Sequence, residues 1–324
     1  MTGPLKFSPW LRTMVWGGNR ISQYKQLDHL QDHIGESWEI SAITDHASII
    51  SDGAYQGISL PDMVSKFREQ LVGHHVYDTY GERFPLLIKF IDAHQDLSIQ
   101  VHPDDDLARR LHGEGQYGKT EMWYVIDAEP GSYLYSGMKV SVTPEEYRSR
   151  IADGTICDIL ARHEVHPGDV FFIPAGRVHA ICSGILLAEI QQTSDWTYRI
   201  YDYNRLGLDG QPRQLHTEYA VLATDLNVTN YRTSYESIPN VLNKIITCRY
   251  FTTYRLELTH QLNIDLCPAD SFVALMNLSG TCNIATANGT IQLSTGESAL
   301  IPACEASFEV HPLTTKSQLL IATA

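Results

Sequence analysis

Apolar and polar positions along most of this chain follow the spacing of strands. Leu97–His102 alternates at every step, and Cys248–Leu258 does so over a longer stretch. Pro85–Ile91, Glu121–Ile126 and Asp169–Ile173 are short, nearly continuous apolar runs, the pattern of strands buried on both faces. Asn288-Gly289 stands between two strand-like runs and predicts a tight hairpin turn. Helical spacing is rarer. A helix is expected over Leu60–Leu71, opened by Ser59 with Pro61 in its first turn and with Met63, Val64, Phe67 and Leu71 on one face. Thr143-Pro144-Glu145-Glu146 is a capping box with proline at the first helical position, and Asp153-Gly154 ends that helix. A third, short helix begins in Asp104-Asp105-Asp106. The expected fold is mainly β, with small helical insertions near 60–80 and 143–162, and not a βαβ alternation.

One segment is echoed. Gly168–Ala175 reads Gly, acid, three residues, Ile, Pro, Ala, and Gly296–Ala303 repeats that order. Each copy lies in a strand-rich stretch, which predicts two related β-barrel domains. Asn, Thr and Ser accumulate between about residues 220 and 245. That places the division at 1–230 and 231–324.

Composition narrows the function classes. A chain of 324 residues is long enough for two domains. Its net charge of −14 argues against nucleic-acid binding, which needs a basic face. With 43% hydrophobic and 19% charged residues it can bury a core, so a disordered protein is excluded. No apolar run reaches the roughly 18–20 residues that would span a bilayer, and Met1–Gly18 has no secretion-signal pattern. The six cysteines form no CxxC pair and read as free thiols in a reducing compartment, with the cytoplasm as the expected location.

Candidate chemistry begins at Ser98, Gln100 and His102, which share one face of a strand while Ile99 and Val101 share the other. Three polar side chains facing a barrel interior need something to satisfy them. Lys119-Thr120-Glu121 heads another apolar strand. Gly168-x5-Pro174-x-Gly176-x2-His179 is a strand–turn–strand that aims His179 inward. Gln100, His102, Glu121 and His179 together offer an amide oxygen, two imidazoles and a carboxylate. That donor set suits a divalent ion, zinc first, one per chain.

The spacing around His179 resembles the second cupin motif, and Gln100, His102 and Glu121 resemble a variant of the first. More narrowly, five segments resemble type I phosphomannose isomerases, zinc-dependent enzymes of the cupin superfamily, in their short bacterial form: Gly35–Ile40, Ser98–Asp104, Gly118–Met122, Pro174–Ala180 and Asp195–Arg205. The resemblance implies two cupin (jelly-roll) barrels and interconversion of mannose 6-phosphate and fructose 6-phosphate. It carries the zinc ligands onto Gln100, His102, Glu121 and His179 and makes Arg199 an active-site arginine. It makes Ser98, Lys119 and Arg205 contacts for substrate or phosphate. Zinc can polarise the substrate oxygens, Arg199 can stabilise developing negative charge, and Lys119 and Arg205 can offset the phosphate. The plain alternative for Arg199 and Arg205 is pairing with Asp195, Asp202 or Asp209.

The general base stays open at this level. Lys89, alone among apolar residues, could act as a base if burial lowers its pKa, or could be ion-paired. Glu189 and Asp195 could each be the base or could orient a cation. Gly113–Gly118 could be a lid or a plain connection. Two other classes compete with the isomerase: a metal-dependent cupin oxidoreductase, which would want histidine where Gln100 stands, and a non-catalytic sugar-binding cupin. The partner expected is a small sugar phosphate, with neither nucleic acid nor membrane, and a monomer or homodimer. The second barrel is expected to be degenerate, with no metal and with Phe272, Ala274, Met276 and Leu278 filling its interior.

Overall fold

A computed structural model describes residues 3–228 and 232–324. The fold is mainly β, as the alternation requires, and its strand pairs are antiparallel within four sheets. The first sheet has seven strands in the order Arg232–Thr233, Val170–Ile173, Glu121–Ala128, Ile185–Gln192, Leu86–Ala93, Ile34–Ile40 and Trp10–Gly18. A five-stranded sheet faces it: Tyr198–Tyr201, Ile99–Val101, His179–Ile181, Tyr133–Met138 and Leu160–Glu164. Trp16, Ile91, Trp123, Phe171, Ile181 and Leu187 pack between these two. A second seven-stranded sheet, which includes Thr252–Leu258, Val273–Ser279, Ser298–Ile301 and Ser317–Thr323, pairs with a four-stranded sheet. Leu256, Val273, Leu275, Ile284, Val310 and Ile321 lie between those.

The two large sheets also bury apolar side chains against each other. Leu86, Ile88, Phe90 and Met122 of one join Phe272, Ala274, Met276 and Leu320 of the other in a single cluster. This corrects the interior expected for the second barrel. Phe272, Ala274, Met276 and Leu278 face the neighbouring sheet, and Val273 and Leu275 fill the barrel. A strand covered on both sides is apolar at every position, so period two gives no sense of which face is inside. The second large sheet also takes Leu5–Ser8 as a strand, paired with Ser298–Ile301. The expected boundary between 230 and 231 lies outside the described residues.

Local signals hold with three corrections. Ser59, Asp104 and Thr143 each accept a backbone N–H three residues on, and so open helices at Leu60, Asp105 and Pro144. The expected Leu60–Leu71 helix is broken: Leu60–Phe67 stops at Arg68 (φ 46°), Glu69–Val72 follows, and His74–Tyr80 starts after Gly73. Contact with the second half of the chain explains the last break. A Cβ on Gly73 would lie 2.0 Å from the Asp270 carbonyl oxygen, and Asp270 accepts the N–H groups of His74 and His75 at 3.0 and 2.9 Å. The 288–289 hairpin forms, but Thr286 pairs with Gly289, so Ala287 and Asn288 make the turn. Cys248–Phe251 is a turn between Asn243–Thr247 and Thr252–Leu258, closed by Cys248 N–H to the Phe251 carbonyl at 3.0 Å. No helix among the described residues is long and apolar enough to cross a membrane.

Candidate metal centre and active site

The face shared by Ser98, Gln100 and His102 points into the space between the first two sheets, as its alternation requires. Ile99 and Val101 pack on the opposite side. His179 pairs with Gln100 across adjacent strands. The glycine of the Pro174–His179 turn has a clear steric reason: Gly176 (φ 84°) docks its N–H on the His102 carbonyl at 2.9 Å, and a Cβ there would lie 3.0 Å from the Ala223 carbonyl oxygen.

One ligand atom each from His102, Glu121 and His179 lies within 4.8 Å of the others, and all three side chains are buried. Glu121 Oε2 is 3.5 Å from His102 Nε2, and Oε1 is 3.4 Å from His179 Nε2. Each imidazole is held by its other nitrogen. His102 Nδ1 is 2.8 Å from the Trp196 carbonyl oxygen, and His179 Nδ1 is 2.8 Å from that of Arg177. A carbonyl partner fixes the proton on Nδ1 and turns Nε2 inward as a free lone pair. Burial drives both imidazoles neutral, His102 well below the usual histidine range and His179 to about 3. Burial, then the Glu189 charge, pushes Glu121 up to about 7. His102 Nε2 and Glu121 Oε1 are buried without a hydrogen-bond partner. Such orphaned atoms, beside the Nε2 of His179, fit a cation. Gln100 completes the group with Nε2 3.3 Å from His179 Nε2 and Oε1 3.4 Å from Ser98 Oγ.

A row of alternating charge runs from this cluster across the first sheet. Lys119 Nζ is 2.9 Å from Glu121 and 4.0 Å from Glu189; Lys89 Nζ is 3.3 Å from Glu189 and 3.6 Å from Glu36; Arg12 is 3.6 Å from Glu36. Burial opposes charge on Lys119, but Glu121 and Glu189 outweigh it and raise its pKa, so it stays an ammonium. Burial likewise works against the carboxylate of Glu189, and Lys119 and Lys89 overcome it and hold its pKa low. Trp123 Nε1 donates to Glu189 Oε2 at 2.9 Å, while Oε1 accepts no hydrogen bond. Lys89 is ion-paired to both Glu189 and Glu36.

The row and the cluster border a cavity of about 220 Å³, which also exposes Ser98, Asp195, Arg199 and Arg213. Arg205 does not line it. All its nitrogens are taken, two by Asp202 at 3.0 and 2.8 Å and one by the Asp96 carbonyl. Arg12, Glu36, Trp123 and Arg213 are cavity residues to which the sequence reading gave no role. Glu36 had left a signal, since it is a carboxylate inside a strand that is buried throughout. The Gly113–Gly118 segment is tied down by Arg83 on the Gly115 carbonyl, by Gln116 accepting from Trp196 Nε1 at 3.0 Å, and by Ser194 Oγ on the Tyr117 carbonyl at 2.9 Å.

Residues 5–122 match the catalytic domain of type I phosphomannose isomerase, and residues 241–315 match the cupin domain of mannose-6-phosphate isomerase. The chain is 33% identical over 304 residues to mannose-6-phosphate isomerase ManA of Bacillus subtilis (strain 168), covering 93% of each. It is also 33% identical over 306 residues to the mannose-6-phosphate isomerase of Streptococcus mutans serotype c, again 93% of each. The crystal structure of mannose 6-phosphate isomerase from Bacillus subtilis superposes with a TM-score of 0.89 at 31% identity, covering 99% of both chains. Agreement in sequence and in fold over nearly the whole length leaves one assignment: this chain belongs to the type I mannose-6-phosphate isomerases.

Proposed function

We propose that the chain interconverts mannose 6-phosphate and fructose 6-phosphate through an enediol, with one zinc ion held by Gln100, His102, Glu121 and His179. The observation that carries this reading is the buried His102–Glu121–His179 cluster, which meets, through His179 and Gln100, a cavity lined by five cations and three carboxylates. Two neutral imidazoles, a carboxylate and an amide oxygen make a donor set suited to zinc. For Gln100 this requires half a turn of the amide, which exchanges Nε2 for Oε1. Zinc, when bound, supplies Lewis-acid polarisation of the substrate's oxygens.

The chain's own groups handle the proton and the remaining charge. Glu189 is ionised and buried, and its Oε1 is held by the ion pairs to Lys89 and Lys119 without a hydrogen bond, which fits it for the base. Its carboxylate takes the proton from C2 of the aldose as the C1–C2 double bond forms, and returns it to C1; between the two steps the O2 hydroxyl proton passes to O1, which leaves a ketone at C2 and a hydroxyl at C1. Lys89 and Trp123 hold that carboxylate in place. Lys119, as an ammonium, and Arg199 stabilise the developing enediolate oxygens. Ser98 orients the sugar, and Asp195 stands at the exposed mouth as an orienting carboxylate. We place the enzyme in the cytoplasm as a monomer or homodimer; its six free cysteines suit a reducing compartment.

The test is an isomerase assay on mannose 6-phosphate before and after chelation. Activity is expected to vanish on metal removal and to return best with zinc. Full activity in metal-stripped protein would end the zinc reading.

A further inference from the structure

The mouth of the cavity carries more positive charge than its partners neutralise. Arg199 gives Nη1 to the Gln214 carbonyl at 2.9 Å, and its Nε is buried without a hydrogen-bond partner. Arg213 gives Nε and Nη2 to Asp202 at 2.7 and 2.6 Å, which leaves Nη1 for the cavity that Arg213 lines. Arg205 uses the same carboxylate but has no nitrogen left over. Asp202 therefore neutralises one of two guanidiniums, Arg199 adds a further positive charge, and Asp195 at the mouth offsets one of the two that remain. A phosphate monoester, an anion at neutral pH, suits the positive charge that is left.

The loop geometry explains why the second arginine, and not the first, is presented. Tyr203 and Asn204 take left-handed conformations (φ 56° and 55°) and turn the chain immediately after Asp202. Leu206 then bridges to Pro212, and Gly207 N–H reaches the Gln211 carbonyl at 2.7 Å. The loop thus closes on itself and returns Arg213 to the carboxylate where it began. Arg205 braces the start of the loop and Arg213 seals its end. Asp202 is 5% exposed, so its grip on both is shielded from solvent.

We propose that Arg213 takes the substrate's phosphate at the mouth, beside Arg199, and that Asp202 and Arg205 are positioning residues that hold the Arg213 guanidinium there. This rests on the sugar-phosphate reading above and names a residue of that same site. A guanidinium fork locked to a carboxylate by two nitrogens keeps its direction while free, so little ordering remains when the anion arrives.

The experiment compares steady-state kinetics on mannose 6-phosphate, and inhibition by inorganic phosphate, for the zinc-loaded wild type, Arg213→Ala, Arg213→Lys and Arg205→Ala. Loss of a hydrogen-bonded charge predicts that KM and the phosphate inhibition constant rise together by about tenfold or more in Arg213→Ala, with kcat changing much less. Both constants should rise less in Arg205→Ala. Equal or larger rises in Arg205→Ala overturn the proposal. Should Arg213→Ala fail to fold, as judged by metal content and melting temperature, the same comparison is made with Arg213→Lys, which keeps the charge but not the fork. A wild type inactive on mannose 6-phosphate would instead overturn the sugar-phosphate reading, and calorimetric binding of inorganic phosphate, expected to weaken about tenfold in Arg213→Ala, would then judge Arg213 alone.

Discussion

Glu189 and Lys89 are directly opposite each other on paired strands, and Arg12 and Glu36 are opposite each other two strands further on. Alternation of charge across the sheet therefore comes from register as well as from residue choice. Glu36 and Glu189 are each flanked by two cations, so these buried carboxylates remain ionised where isolated charges would not. Glu189→Gln keeps the shape and removes the base. The expected result is a fall in kcat of about a hundredfold or more, with metal content retained and KM moved little. A kcat near that of the wild type would shift the role of base to Asp195. The proximity of Gln100, His102 and His179 was legible in the sequence because alternation put Gln100 and His102 on one face and the Gly-x5-Pro-x-Gly-x2-His turn fixed His179. Arg213 was not legible. It closes an irregular loop with no period, and only folding shows that Asp202 binds two arginines of which one has a nitrogen to spare.

Turn and cap signals were read correctly where a single side chain makes the element, as with Ser59, Asp104 and Thr143. Faces were misread where a strand is covered on both sides, as in Val273–Ser279. The echoed segment shows how far such a skeleton can outlast its chemistry. Gly168 and Gly296 have φ of 93° and 79°, each leads into a strand that ends in Ile-Pro, and the following strands begin at His179 and Ser307. Ser307 thus occupies the place of the ligand histidine with a side chain that cannot supply an imidazole. Among the described residues, His102, Glu121 and His179 are the one cluster spaced to hold an ion. Elemental analysis should find one tightly bound ion per chain, lost in His102→Ala. A second tight ion surviving that substitution would show a site in the other barrel.

The apolar cluster between the large sheets joins both halves of the chain, and polar contacts reinforce it. Tyr250 Oη donates to Asp105 at 2.9 Å, Tyr24 Oη to the Leu278 carbonyl at 2.7 Å, and Arg255 Nε to Tyr124 Oη at 3.0 Å. Domains sharing this much buried surface should unfold as one unit. All five tryptophans lie in the first 200 residues, so their fluorescence reports the first half while far-ultraviolet dichroism reports both. The two signals should change at the same denaturant concentration; a separate later transition in the dichroism alone would mean that the halves are independent. The pairing of Leu5–Ser8 with Ser298–Ile301 carries this coupling into synthesis. Leu5–Ser8 leave the ribosome long before their partner strand, which lies far along the chain. During those seconds the apolar side chains of Leu5 and Phe7 lack part of their packing, and the half that holds the His102–Glu121–His179 cluster lacks the sheet that covers its back. The nascent chain is thus most exposed to chaperones and proteases while it already carries that whole cluster.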